Sequence, residues 1–206
     1  MAKIAARTRI EDLRRRELIA AAHRVFMQHG LGGMTTKRIC DEAGMSPGIL
    51  SYYFKGKDDV LFAMVRLNNR VLVEDVVVRL NQAKTRWDRL LAVIEGNFPA
   101  AVYERNVATA WLSVVAASPG NPRYARLQAL FYARMRSNLA SVFAGILPPA
   151  RFATVARTIT TLVDGLWLQK SAGEAVSRDE AVTLIVTAVA ALLSAEERTA
   201  MQSRVT

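Results

Sequence analysis

The chain has 206 residues and a formal net charge of +10, with 28 Lys and Arg against 18 Asp and Glu. Hydrophobic residues make up 51% of it, which is enough for a packed core and excludes a disordered or low-complexity protein. The one cysteine, Cys40, cannot form an internal disulfide, and the first residues lack the apolar stretch of a signal peptide. The longest strongly apolar run, residues 181–193, is shorter than the ~20 residues that a membrane span needs. We therefore expect a cytoplasmic protein that does not enter the membrane.

The apolar residues recur at helical spacing and predict an all-α protein with about nine helices, while no alternating pattern indicates a strand. Thr8 and Glu11 form a capping-box pattern that predicts the start of the first helix, and Gly30 predicts its end. The later helices are predicted over residues 37–43, 47–53, 58–84, 87–98, 103–117, 123–147, 150–171 and 178–193, before a short terminal turn. We expect an N-terminal helix-turn-helix domain over residues 1–57 and a C-terminal helical domain over residues 58–206.

A four-residue turn, Gly44-Met45-Ser46-Pro47, joins the two short helices, as in DNA-binding helix-turn-helix proteins. Gly44 can adopt the left-handed conformation that the turn requires, Ser46 caps the next helix, and Pro47 suits its first position. At Gly48 the backbone can approach the major groove, and the Ser and Tyr hydroxyls that follow can reach phosphates or base edges. An ordinary helical hairpin with its tyrosines in a core would have the same pattern.

The positive charge is concentrated near this turn. Residues 1–57 carry 11 Lys and Arg and 5 Asp and Glu, a net charge of +6, while residues 58–206 carry 17 and 13, a net charge of +4. This asymmetry favours contact with a polyanion in the N-terminal part of the chain. A solvated basic surface would give the same charge.

The residues around the turn resemble the DNA-binding domain of the TetR family of transcriptional regulators, most specifically from Ala43 to Lys57. The resemblance implies a double-stranded, palindromic DNA operator for the N-terminal domain. It also implies a small-molecule effector and a homodimer for the C-terminal domain. Ser51 departs from the family pattern, in which many members have Tyr. The predicted DNA contacts are Thr35, Thr36, Lys37, Ser46, Pro47, Gly48, Ser51, Tyr52, Tyr53 and Lys57.

A narrower resemblance lies in the second half of the chain. Gly96-Asn97-Phe98, Ala110-Trp111-Leu112 and residues 163–168 are similar to choline-responsive repressors of glycine-betaine synthesis genes. The resemblance implies that choline, or a related quaternary ammonium compound, is the effector. A repressor of an efflux pump that senses bulkier lipophilic cations or drugs is a second hypothesis, and a helical adaptor that binds no DNA is a third.

The residues of this half suit a quaternary ammonium ligand, which aromatic faces hold and a carboxylate attracts. Asp164 lies in the otherwise uncharged stretch 158–168, and Trp167 follows on the same helical face. Because a buried carboxylate needs a partner, Asp164 either faces a cationic ligand or pairs with Arg157 or another basic group. The candidate effector-binding residues are Asn97, Phe98, Trp111, Tyr132, Asp164 and Trp167.

The last long helix has an apolar face rich in small residues, which suits close packing against a partner helix. With the helix over residues 150–171 it could form a four-helix interface between two copies, although it could instead pack only within the monomer. The predicted interface residues are Ala181, Leu184, Ile185, Ala188 and Leu192.

An enzyme is not indicated. Residues 44–48 match the G-x-S-x-G pattern of hydrolases, but that motif needs a preceding strand and a histidine base, usually downstream. Both flanks are predicted to be helical, and His23 and His29 lie upstream. The sequence has no metal-ligand motif and no nucleotide-binding fingerprint, so we expect no metal and no cofactor.

Overall fold

The structure is a computed structural model that describes residues 2–100 and 102–204, with side chains from residue 10 onward except at residues 68 and 71. This part of the chain contains ten α-helices and no strand. The helices are α1 (Ala2–Gly33), α2 (Thr36–Ala43), α3 (Pro47–Tyr53), α4 (Lys57–Gln82), α5 (Arg86–Glu95), α6 (Arg105–Ala117), α7 (Pro122–Phe143), α8 (Pro149–Ala172), α9 (Arg178–Leu192) and α10 (Ala195–Met201), with a 3₁₀ turn at Ser118–Gly120. The all-α prediction is confirmed, and the predicted terminal turn is a tenth helix.

The first helix differs most from its prediction. It begins at Ala2, so the prediction that a capping box at Thr8 starts the helix is wrong. The residues before Thr8 include three Ala, one Lys and one Arg, which are strong helix formers, and this composition explains the earlier start. Gly30 has a left-handed φ of 65° and kinks the helix, which then continues to Gly33.

The chain forms two compact units, Met1–Asn69 and Arg70–Thr206. Their boundary lies inside α4, so both units share this helix. The boundary predicted from the sequence, between residues 57 and 58, lies at the beginning of the same helix.

The first unit is built on the packing of α1 against α2 and of α2 against α3. Each large apolar side chain that becomes fully buried contributes roughly 1.5–3 kcal/mol to folding. The core side chains of the first unit include Leu18, Phe26, Met34, Ile39, Leu50, Leu61 and Met64. This core holds α2 and α3 against the long α1. Helices of eight and seven residues, such as α2 and α3, would not be stable in isolation.

The second unit is organised around α8, which packs against α6, α7 and α9. Its inward face repeats at helical spacing and consists of Val155, Ile159, Val163 and Leu166. Helices α5, α7 and α9 complete the core around it. Asp164 and Trp167 therefore project from the central helix of this unit.

Candidate DNA-reading and effector sites

The backbone of the turn between α2 and α3 follows the prediction at Gly44 and Pro47, but the predicted cap is wrong in one respect, because the Ser46 side chain makes no capping hydrogen bond. Thr35 precedes α2, and its hydroxyl accepts a hydrogen bond of 3.2 Å from the backbone N–H of Arg38. Gly44 ends α2 in the left-handed conformation with φ 63°, and its N–H donates to the carbonyl of Asp41 at 3.2 Å. Pro47 occupies the first turn of α3, after Ser46 in an extended conformation. These local interactions fix the direction in which α3 leaves the turn.

One side of α3 is anchored and the other is exposed. Leu50 is 1% exposed and packs into the core of the first unit. Ser46, Pro47, Gly48 and Ser51 are exposed. A Cβ atom at Gly48 would meet only the Ser46 hydroxyl, at 3.9 Å, so no packing within the protein requires glycine at this position. The open space beside Gly48 lets another molecule approach the backbone of α3 closely.

Two tyrosines and two residues of α1 meet at the end of α3. The rings of Tyr52 and Tyr53 lie edge to face with centroids 4.9 Å apart. The Tyr52 hydroxyl donates to a carboxylate oxygen of Glu11 at 3.3 Å, and the guanidinium of Arg15 lies 5.0 Å from the centroid of the Phe54 ring. The sequence analysis missed Glu11 and Arg15 as supports of this helix, because no local pattern connects residues about forty positions apart.

The predicted basic contacts differ in their surroundings. Lys37 is exposed at the beginning of α2 and forms an ion pair of 3.1 Å with Asp41, one turn later. Lys57 is exposed at the first position of α4. Thr36 is partly buried at the first position of α2. The charge of Lys37 is therefore partly compensated within its own helix.

In the second unit, three aromatic rings form a closed cluster. The rings of Phe98 and Trp167 are stacked with centroids 6.2 Å apart, and Tyr103 lies edge-on to both, at 5.2 and 5.1 Å. The indole N–H of Trp167 donates to the backbone carbonyl of Asn97 at 3.1 Å. The Lys170 ammonium group lies 4.9 Å from the centroid of the Tyr103 ring. Tyr103 was not among the predicted effector residues: it was predicted to begin a helix over residues 103–117, but α6 begins at Arg105 and Tyr103 lies in the irregular segment before it.

A second group of predicted residues surrounds Asp164. The Tyr132 hydroxyl donates to a carboxylate oxygen of Asp164 at 2.8 Å. The ring of Phe131 lies 5.5 Å from that of Tyr132 and 5.4 Å from that of Trp111. Phe131 thus links the predicted Trp111 to Asp164 and is a further residue that the sequence analysis missed.

Asp164 is half-buried, and burial raises the pKa of its carboxyl group, while the hydrogen bond from Tyr132 opposes that rise. Burial also raises the pKa of the Tyr132 hydroxyl, and the nearby Asp164 adds to this rise. Of the residues that the structure describes, none forms an ion pair with Asp164. The alternative in which Asp164 pairs with Arg157 or another basic group is therefore not found, and the partner of Asp164 is a neutral phenol.

The six predicted effector residues thus fall into two groups. Asn97 belongs with Phe98 and Trp167, and its side-chain amide donates to the carbonyl of Val93 at 2.6 Å. Beside Asn97 lies a cavity of about 20 Å³, which holds roughly one water molecule and is too small for a quaternary ammonium group. Trp111, Tyr132 and Asp164 form the other group.

The predicted interface residues on α9 point in two directions. Ala181 and Ile185 have no exposed surface and pack in the core of the second unit, so we remove them from the predicted interface. Leu184 and Leu192 lie on a different row of side chains along α9 and are 48% and 39% exposed. Ala188 lies between these two leucines and is partly buried. The apolar face of α9 is wider than one row of side chains, so helical spacing alone could not separate the buried residues from the exposed ones.

Comparison with known proteins gives a consistent result for both units. Residues 18–64 match the family model described as bacterial regulatory proteins of the tetR family, and residues 87–194 match the C-terminal model of the BetI-type transcriptional repressors. The chain belongs to the TetR family, with a BetI-type C-terminal domain.

Relatives and solved structures agree with the assignment of this chain to the TetR family. An HTH-type transcriptional regulator BetI of Brucella canis is 33% identical over 91% of this chain and 95% of its own. A regulator of the same name from Cronobacter sakazakii is 36% identical over 85% and 88%. A TetR transcription regulator from Haloarcula marismortui has the same fold, with a TM-score of 0.75 and 21% identity over 93% of this chain and all of the other. A Saccharomonospora viridis protein solved in complex with choline has a TM-score of 0.73 and 22% identity over 85% and 95%.

Family membership settles several of the expectations. The protein is a transcriptional regulator and not an enzyme, and proteins of its family bind operator DNA and small-molecule effectors. The efflux-pump hypothesis is not favoured, because the C-terminal domain is of the BetI type. None of the described helices is long and apolar enough to cross a membrane.

Proposed function

We propose that this BetI-type regulator is a dimeric repressor that binds its operator through α3 and is released by choline or a related quaternary ammonium compound. The observation that carries the choice of effector is the half-buried carboxylate of Asp164. Its hydrogen-bond partner is the neutral Tyr132, and the aromatic ring of Phe131 lies beside that tyrosine. Such a carboxylate is unfavourable in the empty protein and becomes favourable when a cation binds next to it.

The exposed side of α3 supports the DNA contacts. Gly48 leaves its backbone open to close approach, and hydroxyls are exposed at Ser46, just before the helix, and at Ser51 within it. Tyr52 is 65% exposed, and its hydroxyl can exchange the hydrogen bond with Glu11 for one with a phosphate. Thr35, Thr36, Lys37, Pro47, Tyr53 and Lys57 remain proposed contacts around this helix.

The Asp164 group is the better of the two candidate effector sites. A quaternary ammonium group held between two aromatic faces sits several ångströms from each centroid, so the stacked rings of Phe98 and Trp167 leave no room for one. Trp111 and Tyr132 are partly exposed; Tyr132 is hydrogen-bonded to the Asp164 carboxylate, and Trp111 reaches it through the ring of Phe131, which lies beside both aromatic residues. We therefore assign direct effector contacts to Trp111, Tyr132 and Asp164. Asn97, Phe98 and Trp167 act as a packed support in this proposal.

The relatives support choline as the first effector to test. Curated relatives over most of the chain are named BetI, and a protein of the same fold has been solved in complex with choline. The choline-bound protein is only 22% identical to this chain, so it supports the view that this fold can bind choline but identifies no binding residue here.

A second copy of the chain is the proposed partner of α9. Leu184 and Leu192 expose an apolar row that a symmetric partner can cover, with Ala188 allowing close approach. Two copies related by a two-fold axis would present two α3 helices to a palindromic operator. An effector that binds the non-DNA-binding arrangement more tightly would then shift the population away from the operator.

Calorimetry with choline tests the effector assignment. Asp164→Asn keeps an acceptor for the Tyr132 hydroxyl but removes the charge, so we expect choline affinity to fall at least about tenfold, or ~1.4 kcal/mol. Glu174→Gln removes an exposed carboxylate elsewhere in the same unit and is the matched control, with unchanged affinity expected. Equal choline affinity in the two variants would refute the site, and no binding to the wild-type protein would refute the effector.

A further inference from the structure

A groove of about 340 Å³ lies between α7 and α8, next to the Asp164 site. This volume lies at the lower end of the range of small-molecule pockets. Tyr132, whose hydroxyl is bonded to Asp164, forms part of the groove wall. The other polar lining residues are Arg136, Arg157, Thr160 and Thr161. The groove and the Asp164 site therefore share a side chain.

The α8 stripe that forms one wall of the groove continues past it to Asp164 and carries opposite charges at its ends. Arg157 and Asp164 are seven residues apart, so they lie on the same face of the helix, separated by about 10 Å along its axis. Thr160 and Thr161 lie between them and add two hydroxyl groups to the groove. The stripe thus has a cationic group in the groove and an anionic group three residues beyond Thr161, the last lining residue.

The α7 wall carries a neutral phenol and a cationic guanidinium. Tyr132 and Arg136 are four residues apart and share a face of α7. Tyr132 contacts Asp164, while Arg136 lines the groove together with Arg157. Among the residues that the structure describes, neither Arg136 nor Arg157 forms an ion pair with an acidic side chain. Two arginines without a carboxylate partner therefore face the same groove.

We infer that the effector is zwitterionic, with a quaternary ammonium group at Asp164 and a carboxylate or phosphoryl group at Arg136 and Arg157. The inference rests on the proposed function, since it extends the same site along the groove. Choline itself has no anionic group and would use only the Asp164 end.

The chemistry of the groove matches such a group. Guanidinium groups bind carboxylates and phosphates in a planar, two-bonded geometry, and threonine hydroxyls can donate further hydrogen bonds. A ligand with both charges would satisfy the acidic and the basic end at once. A simple cation would meet Asp164 but would also be repelled by the two arginines.

Two matched ligand pairs test the inference by calorimetry. Phosphocholine differs from choline by a phosphoryl group, and trimethylammoniobutanoate differs from tetramethylammonium by a carboxylate-bearing chain. We expect at least one zwitterion to bind the wild-type protein about tenfold or more tightly than its cationic counterpart, a gain of ~1.4 kcal/mol. The pair that shows the gain distinguishes a phosphoryl from a carboxylate ligand.

Variants identify the groove as the source of the gain. In the double variant Arg136→Gln and Arg157→Gln we expect the gain to disappear, while choline affinity stays the same or rises because repulsion is removed. Arg126→Gln, an exposed arginine on the same α7, is the matched control and should keep the gain.

Four results would overturn the inference. The inference is refuted if neither zwitterion binds more tightly than its cationic counterpart. It is also refuted if the gain in affinity survives in the double variant. Both results leave the choline proposal intact. Inorganic phosphate binding as tightly as phosphocholine would indicate an anion site independent of Asp164. Absence of binding by every quaternary ammonium compound would refute the proposed effector as well.

Discussion

The two compact units place their proposed functional residues in opposite environments. In the first unit these residues lie on exposed surfaces of short elements, as Gly48 and Tyr52 do. In the second unit the six candidate effector residues are partly or fully buried, and Asp164 and Trp167 are each held by a side chain or backbone group from a distant part of the chain. Function and stability should therefore be separable in the first unit and coupled in the second.

The largest expected effect tests that coupling. Trp167→Ala removes a buried indole that stacks on Phe98 and donates to Asn97, so we expect the free energy of unfolding to fall by about 3–5 kcal/mol. Leu168→Ala changes the next residue, which is exposed, and should alter stability by only ~0.5 kcal/mol. Urea denaturation of both variants gives the comparison. Similar losses for the two would contradict the buried, supporting role of Trp167.

The next effect tests separability in the first unit. Gly48→Leu adds a side chain where the fold is open, and leucine is a better helix former than glycine, so stability should stay the same or rise by up to ~1 kcal/mol. Operator affinity should fall about a hundredfold, or ~2.7 kcal/mol, because the added side chain keeps the DNA away from α3. Gly120→Leu, at another open glycine in the second unit, is the control for DNA binding. Normal operator affinity in the Gly48 variant would remove α3 from the reading surface.

The contrast between the units also explains what could be predicted from the sequence. The turn at Gly44 and the cap at Thr35 depend on residues within a few positions of one another, so local patterns were sufficient. The partner of Asp164 could not be found in this way, because Tyr132 lies on another helix and the nearby Arg157 was the more obvious candidate.

Three other differences have physical causes of their own. Helical spacing could not separate the buried Ala181 from the exposed Leu184, since both lie on a broad apolar face of α9. Tyr103 joins its cluster from an irregular segment that has no periodicity. The capping pattern at Thr8 was outweighed by the strong helix formers before it.

A smaller effect distinguishes the two lysines of the first unit. Lys57→Ala should weaken operator binding about tenfold and reduce the slope of its salt dependence by about 1, as expected for the loss of one phosphate contact. Lys37→Ala should have a weaker effect, because Asp41 already compensates part of its charge at 3.1 Å. Fluorescence anisotropy at several salt concentrations measures both. An unchanged slope in the Lys57 variant would remove it from the phosphate contacts.

The smallest effect concerns the pH dependence of stability. Burial raises the pKa of Asp164 in the folded protein, so the folded state holds this proton more tightly than the unfolded chain does. Stability therefore falls as pH rises through the interval between the ordinary pKa and the raised one. Asp164→Asn should be more stable than the wild-type protein at neutral pH, and the difference should shrink in acid. A variant less stable than wild type at neutral pH would show that the carboxylate stabilises the unliganded protein.

The most direct test of the whole account is the effect of choline on operator binding, measured by fluorescence anisotropy with a DNA fragment selected from genomic DNA. We expect saturating choline to weaken operator binding of the wild-type protein at least about tenfold, or ~1.4 kcal/mol. Asp164→Asn should bind the same operator equally well and lose most of the response. If choline leaves the operator affinity of the wild-type protein unchanged, the link between the Asp164 site and release from DNA is contradicted.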